Sequence, residues 1–106
     1  KKITKNTISS ISGTLMHDEV KDIVNYALQK DFIKARKMLM SQMIEKGVSG
    51  LEIIKAINRY IWTIDIEDAL KIKIVILLGE FEFRIAEGGR EDIQIEAFLA
   101  NLSDLK

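Results

Sequence analysis

Residues 66–87 read IEDALKIKIVILLGEFEFRIAE, and this stretch decides the fold of the 106-residue chain. Its apolar residues recur at helical spacing, and no turn signal interrupts them before the glycines at positions 88 and 89. The β-branched segment 72–78 is also compatible with a strand, but its flanks have a helical period. We therefore predict one long helix that is buried over most of its circumference.

Two apolar stripes run along this predicted helix. The first stripe consists of Leu70, Ile74, Leu77, Phe81 and Ile85, and the second of Ala69, Ile72, Ile76, Phe83 and Ala86. Two explanations stay open on the residues alone. Either the helix is the central one of a bundle and both stripes meet the core, or one stripe faces a neighbouring subunit.

The rest of the chain divides into further amphipathic helices separated by glycine and capping signals. Ser49 and Glu52 form a capping box, Gly47 closes the helix before it, and Asp65 is expected to cap the long helix with Asp68 at its third position. The predicted helices cover 7–12, 18–29, 32–46, 50–63, 66–87 and 90–105. We therefore predict an all-α bundle of five to six helices without a sheet.

The helical period also predicts which residues point inward. In the helix predicted over 32–46, one face consists of Phe32, Ala35, Leu39 and Met43, and Ile33, Met40 and Ile44 widen this face. The other expected core residues are Val20, Ile23, Val24, Ala27, Leu28, Ile53, Ile54, Ile57, Ile61, Ile64, Ile93, Ala97, Leu99 or Ala100, Leu102 and Leu105.

Composition excludes several classes of function. The 16 basic and 16 acidic residues balance, which argues against strong phosphate-driven nucleic-acid binding, so the cluster Lys34, Arg36 and Lys37 is interpreted as a solvated face. Cysteine is absent and His17 is the single histidine, which makes a metal site a poor prediction. No catalytic constellation, signal peptide or membrane-length apolar run is present, so we predict neither an enzyme nor a membrane partner.

The C-terminal third and two upstream segments carry a resemblance to a known family. The matching residues are Leu78-Gly79-Glu80, Arg84, Glu87-Gly88, Glu91, Ile93-Gln94, Ala97, Leu99-Ala100 and Leu102, with 27–36 and 47–57 upstream. Their ordered spacing resembles the collar domain of a small subunit of the replication factor C family, the sliding-clamp loaders, closest to the archaeal type. Residues 1–13 look like the tail of the preceding lid domain, which leaves 14–106 as the collar.

The resemblance implies a structural role in DNA replication. Collar domains join clamp-loader subunits into a ring of about five, while the ATPase modules open the sliding clamp and place it on primed DNA. The family's ATPase module needs a Gly-rich loop ending in Gly-Lys-Ser/Thr, which is not in this sequence. We therefore expect a fragment, beginning at Lys1, that binds no cofactor itself, since ATP and Mg²⁺ would bind the absent ATPase domain.

The implied partners follow from the same resemblance. The chain would self-associate into a ring and meet the clamp-loader large subunit, and would reach the sliding clamp and primed DNA only through the missing domains. The expected location is the cytoplasm, or the nucleus in a eukaryote. The alternative function is a helical adaptor that binds a partner helix in an apolar groove.

Seven residues are candidates for an interface or for a structural role: Trp62, Gly79, Glu80, Phe83, Arg84, Glu87 and Gln94. Glu80 and Arg84 stand at i,i+4, which suits either a solvated intrahelical pair or an inter-subunit contact, and Arg84 is also within reach of Glu87. A glycine inside a helix at position 79 is explained by a close helix crossing.

Two of these candidates keep an alternative interpretation. Gln94 either bonds the backbone at the Gly88-Gly89 turn or is an ordinary surface side chain. Trp62 and its neighbour Tyr60 belong either to an interface, where aromatic residues are enriched, or to the core, which is the commoner environment.

Overall fold

The computed structural model describes residues 17–105, which form five α-helices and one π-helical turn. The helices are α1 (His17–Leu28), α2 (Phe32–Met40), α3 (Gly50–Ile61), α4 (Asp68–Ala86) and α5 (Glu91–Asp104), with the π-helical turn at Ser41–Glu45. Within this range the chain has no strand, and the all-α prediction is confirmed. The predicted helix at 7–12 and the domain boundary after residue 13 lie outside the described residues.

Helix α5 is the centre of the bundle, because it packs against each of the other four helices. Its Phe98 ring meets the Phe81 ring of α4 edge to face, with centroids 5.8 Å apart. All five predicted core residues of α1 are buried, and so are Ile53, Ile54, Ile57 and Ile61 of α3. The helical period therefore located the buried face of both of these helices.

The core register of α5 differs in part from the prediction, although Leu99 and Leu102 are buried as predicted. Ile95, Phe98, Leu99 and Leu102 are fully buried at i, i+3, i+4 and i+7 spacing. Ile93, predicted to point inward, is instead exposed. Ala100 is exposed and Ala97 and Leu105 are half-buried, because the buried stripe is centred on Phe98 and not on Ala97.

The start of α4 also corrects a prediction. The helix begins at Asp68, with Glu67 as its N-cap residue and no side-chain cap bond, so Asp65 does not cap it. Ile64 and Ile66 pack against the core, which holds residues 64–67 in a connecting loop. By contrast, the Ser49 hydroxyl accepts a hydrogen bond from the Glu52 amide at 3.1 Å, which confirms that cap.

The helix predicted over 32–46 is divided. α2 ends at Met40 and the π-helical turn carries the chain to Glu45, after which Gly47 takes a φ of 70° and closes it as predicted. Gln42 is buried in this turn, where it follows Ala35 and Leu39 at helical spacing. Ile33 and Ile44, expected to widen the buried face, are instead exposed.

Candidate interaction surface

Helix α4 is half core and half exposed apolar surface. Its first stripe faces inward, with Ile74 and Phe81 buried. Its second stripe faces solvent, and Ile72, Ile76 and Phe83 have exposed fractions of 59%, 63% and 64%. The explanation in which both stripes meet this chain's own core is therefore wrong. The outer face of α4 comprises Ile72, Ile76, Gly79 and Phe83, which follow i, i+4, i+7 and i+11 spacing.

Gly79 lies in the middle of this outer face without a crossing helix. A Cβ atom built at Gly79 would have nothing within 4 Å, so the predicted close crossing is wrong within this chain. The close crossing is at Gly50 instead, where a Cβ atom would lie 3.0 Å from Ile95 Cγ1. Gly79 therefore leaves room on an apolar surface that nothing in the described chain occupies.

Trp62 extends the outer face towards α3. Its side chain is 60% exposed, and it lines an apolar groove of about 440 Å³ together with Ile72, Val75 and Ile76. The Lys71 ammonium lies 5.9 Å from the centre of the Trp62 ring, a cation–π distance. The core interpretation is thus wrong for Trp62 but correct for Tyr60, which is buried.

Charged residues flank the outer face at its C-terminal end. Arg84 forms an ion pair with Glu80 one turn earlier, as the spacing predicted. The Arg84 guanidinium carbon also lies 4.9 Å from the centre of the Phe81 ring. Both charged side chains are half-exposed, so within one chain this pair stabilises α4 by only a few tenths of a kcal/mol.

The turn after α4 is a Schellman motif. Gly88 has a φ of 104°, its amide donates to the Ile85 carbonyl, and the Gly89 amide donates to the Arg84 carbonyl, each at 3.1 Å. The Glu87 amide donates to the Phe83 carbonyl at 2.9 Å. These bonds satisfy the last carbonyls of α4 and aim the chain back towards α5.

Gln94 packs against this turn. A Cβ atom at Gly89 would lie 3.1 Å from Gln94 Nε2, so the absence of a side chain at Gly89 makes room for the carboxamide. Gln94 Oε1 is buried and accepts no hydrogen bond from any described residue. Gln94 therefore packs at the turn, as the first interpretation predicted, but without the backbone hydrogen bond to its Oε1 atom. It is also not the ordinary surface side chain of the second interpretation.

A surface ion pair between Arg90 and Asp92 shifts the pKa values of both groups next to the turn. Asp92 Oδ2 accepts a hydrogen bond from Arg90 Nη2 at 2.9 Å, which lowers the pKa of Asp92 and raises the pKa of Arg90. Within residues 17–105 no three His, Cys, Asp or Glu side chains are grouped as metal ligands would be. None of the described helices combines the length and the hydropathy needed to cross a membrane.

The predicted site residues fall into two groups. The first group lies on or beside the outer face of α4: Gly79 and Phe83 are part of it, Trp62 is at its edge, and Glu80, Arg84 and Glu87 lie along its C-terminal end. The second group is Gln94 alone, which lies at the turn. The prediction omitted Ile72 and Ile76 as site residues. The signal that identifies them is their spacing with Gly79 and Phe83, typical of a helix–helix seam.

Known proteins match this chain over nearly its whole length. The sequence profile described as Replication factor C C-terminal domain matches residues 16–101. Proteins named "Replication factor C small subunit" from Archaeoglobus fulgidus and Staphylothermus marinus are each 38% identical to it, over 97% and 98% of this chain. Another with that name, from Sulfurisphaera tokodaii, is 38% identical over 96% of this chain.

The match covers only part of each relative. The chain spans 32% of the length of the Archaeoglobus, Staphylothermus and Sulfurisphaera proteins. The profile match nevertheless covers most of the present chain and lies on the helical bundle described above. The chain belongs to the family of replication factor C C-terminal domains.

Proposed function

We propose that this domain is the oligomerisation collar of a clamp-loader small subunit. The observation that carries the proposal is the outer face of α4, an apolar seam on a domain whose core is already complete without it. A monomer gains nothing from a row of exposed isoleucine and phenylalanine side chains, but a subunit interface does. In this role the domain contributes binding free energy and geometry and no chemical step.

The exposed side chains are sufficient for a specific contact. Full burial of a large apolar side chain contributes about 1.5–3 kcal/mol. Ile72, Ile76 and Phe83 each have roughly three-fifths of their surface still exposed, so each adds about 1–2 kcal/mol when a neighbour covers it. Gly79 at the centre allows the backbone of a neighbouring helix to approach closely.

The remaining functions belong to the proposed parent protein. Its ATPase module would bind ATP and Mg²⁺, and the ring held together by the collars would load the sliding clamp onto primed DNA in the cytoplasm. A clamp-loader large subunit would complete the ring. The relatives' names support membership of a clamp loader, and the exposed seam supports the part that this domain plays in it.

Sedimentation equilibrium of the 106-residue chain over a wide concentration range tests the proposal. We expect discrete assemblies of about four to six copies, and we expect Ile76→Glu to abolish them. The matched control is Ile93→Glu, the same substitution at another exposed isoleucine, on α5. A chain that stays monomeric at high concentration would remove the collar role from this domain.

The second candidate function is an adaptor that binds a partner helix. The groove beside Trp62 favours it, because its lining of Ile72, Val75 and Ile76 suits apolar anchors on a helix. This function predicts a monomer at all concentrations that binds an added amphipathic peptide. Assembly of the chain on its own excludes it as the main role of the outer face.

A further inference from the structure

Gln42 is buried although its side chain is polar, with an exposed fraction of only 5%. Apart from Tyr60, it is the one polar side chain that lies in the interior among residues 17–105. Its Oε1 atom accepts no hydrogen bond from any described residue. A buried acceptor without a donor raises the free energy of the conformation that buries it, and contact with water removes this penalty. The position of Gln42 therefore favours any movement that carries its carboxamide into water.

The end of α2 contains one residue more than the end of α4. Helix α4 closes with a bond from the Gly89 amide to the Arg84 carbonyl, which spans five residues as in a Schellman motif. The corresponding bond at the end of α2, from the Val48 amide to the Gln42 carbonyl, spans six residues and is also 3.1 Å long. The π-helical turn at Ser41–Glu45 accommodates the extra residue. Proteins use such turns rarely and often at functional sites.

Few contacts hold this segment against the bundle. The residues on either side of it, Leu39 and Val48, are buried. Within 41–46, Met43 is the one apolar side chain that is half-buried, and residues 44–46 are exposed. The Lys46 ammonium forms an ion pair with the Glu19 carboxylate of α1, but a pair so close to solvent is weak. The segment can therefore move away without exposing much of the core.

We propose that residues 41–46 form a latch, which opens locally while the five helices of the bundle stay folded. Opening breaks the bond between the Val48 amide and the Gln42 carbonyl and moves the Gln42 carboxamide into water. It also separates Lys46 from Glu19. The buried residues on either side limit the movement to the latch. Local opening of this kind needs much less free energy than global unfolding.

The latch restrains the start of α1. Glu19 lies in the first turn of this helix, which begins at His17, so the chain before residue 17 joins the bundle beside the latch. With the latch closed, the Lys46 ammonium holds the first turn of α1 against the end of α2. With the latch open, this turn loses the restraint while the core stays packed. Because the latch belongs to the single chain, it exists whether or not the domain assembles.

Amide hydrogen exchange of the 106-residue chain, followed by NMR, measures the opening. The Val48 amide reports it directly, because its bond to the Gln42 carbonyl closes the latch. We expect protection of this amide to be at least about 100-fold lower than that of amides in the interior of α3 and α5. We also expect its exchange rate to be insensitive to low urea concentrations, since the opening exposes little surface.

The variant Gln42→Met tests what drives the opening. Methionine has a similar length and no strong hydrogen-bonding group, so it occupies the same space without an unpaired amide oxygen. We expect exchange of the Val48 amide to slow by about tenfold or more, because the closed latch no longer carries the penalty. The matched control is Gln29→Met, the same substitution at an exposed glutamine, which should leave this exchange unchanged.

Two further variants test the extra residue and the ion pair. Deletion of Ile44, which is 77% exposed, shortens the closing bond to five residues and should also slow exchange of the Val48 amide. Lys46→Met removes the ammonium group and keeps most of the side-chain stem. It should speed the exchange by about two- to fivefold, in line with the small contribution of a surface ion pair.

Contrary results would overturn the latch. If the Val48 amide is as protected as amides of α3 and α5 and shares their urea dependence, the segment opens only when the whole domain unfolds. If Gln42→Met leaves the exchange unchanged or speeds it, a buried water already satisfies Oε1 in the closed form and the driving force is absent. Equal slowing in Gln29→Met would also overturn the proposal. So would unchanged exchange in both the Lys46→Met variant and the chain without Ile44.

Discussion

Gly50 at the start of α3 lies directly against Glu91 at the start of α5. A Cβ atom at position 50 would come within 2.5 Å of Glu91 Cγ and 3.0 Å of Ile95 Cγ1. Real Cβ atoms do not approach so closely, and Ile95 is fully buried and has no room to move. The absence of a side chain at Gly50 is therefore what lets α3 and α5 begin side by side.

We expect Gly50→Ala to destabilise the domain by about 1–3 kcal/mol, because the added methyl group overpacks the contact between α3 and α5. Urea unfolding followed by circular dichroism measures this change as a lower midpoint with an unchanged slope. An unfolding midpoint equal to that of the unmodified chain would mean that α3 and α5 can move apart to admit the methyl group without loss of unfolding free energy.

Gly79→Ala is the matched control and should act in the opposite direction. Gly79 is helical and a Cβ atom there meets nothing within 4 Å, so alanine should stabilise the single chain by about 0.5–1 kcal/mol. The same variant should weaken self-association in sedimentation equilibrium, since a methyl group would hold the neighbouring helix away. Equal or stronger association would show that no backbone approaches Gly79 in the assembly.

A double-mutant cycle at Glu80 and Arg84 shows whether they form a solvated ion pair or a pair within an interface. In one chain both side chains are half-exposed, so a double-mutant cycle with Glu80→Ala and Arg84→Ala should give a coupling energy of about 0.3–0.5 kcal/mol. The same cycle measured on self-association should give a larger coupling if a neighbour covers the pair. A coupling near zero in the association measurement would assign both residues to solvent.

Tyr60 should make stability depend on alkaline pH. Burial raises the pKa of the Tyr60 hydroxyl, although its hydrogen bond with Asn25 acts in the opposite direction. The unfolded chain ionises tyrosine near pH 10, so the contribution of Tyr60 is complete below about pH 10. It is lost as the pH rises from there through the raised pKa of the folded state.

Tyr60→Phe tests this dependence. The variant should lose about 0.5–1.5 kcal/mol at neutral pH, because the hydrogen bond with Asn25 is removed. Its unfolding free energy should then fall less steeply above pH 10 than that of the unmodified chain. Urea unfolding at pH 7 and at several values above pH 10 measures both effects, and parallel curves would contradict the raised pKa.

Local signals in the sequence predicted the elements well. The N-cap at Ser49, the glycine stop at Gly47 and the apolar periods of α1 and α3 depend on only a few neighbouring residues, and all of them are present in the structure. The same local reasoning failed for Asp65. An aspartate is a good cap in isolation, but the packing of the partly buried Ile64 and Ile66 against the core keeps that segment in a loop.

The environments of single residues were harder to predict. Gly79 was expected to lie at a helix crossing, whereas Gly50 is the glycine that does so. A one-dimensional pattern cannot distinguish them, because both are small residues next to apolar ones. Which one another helix approaches depends on how α3, α4 and α5 are placed in space.

The sequence by itself determined the helical class, most helix boundaries and membership of the replication factor C C-terminal domain family, since periodicity, caps and family residues are properties of neighbouring positions. Only the tertiary structure decided which apolar stripe of α4 is core and that Ile33 and Ile44 form a second exposed surface. The physical reason is that every amphipathic stripe must be covered, but the sequence alone does not say whether the cover comes from the same chain or from a neighbour.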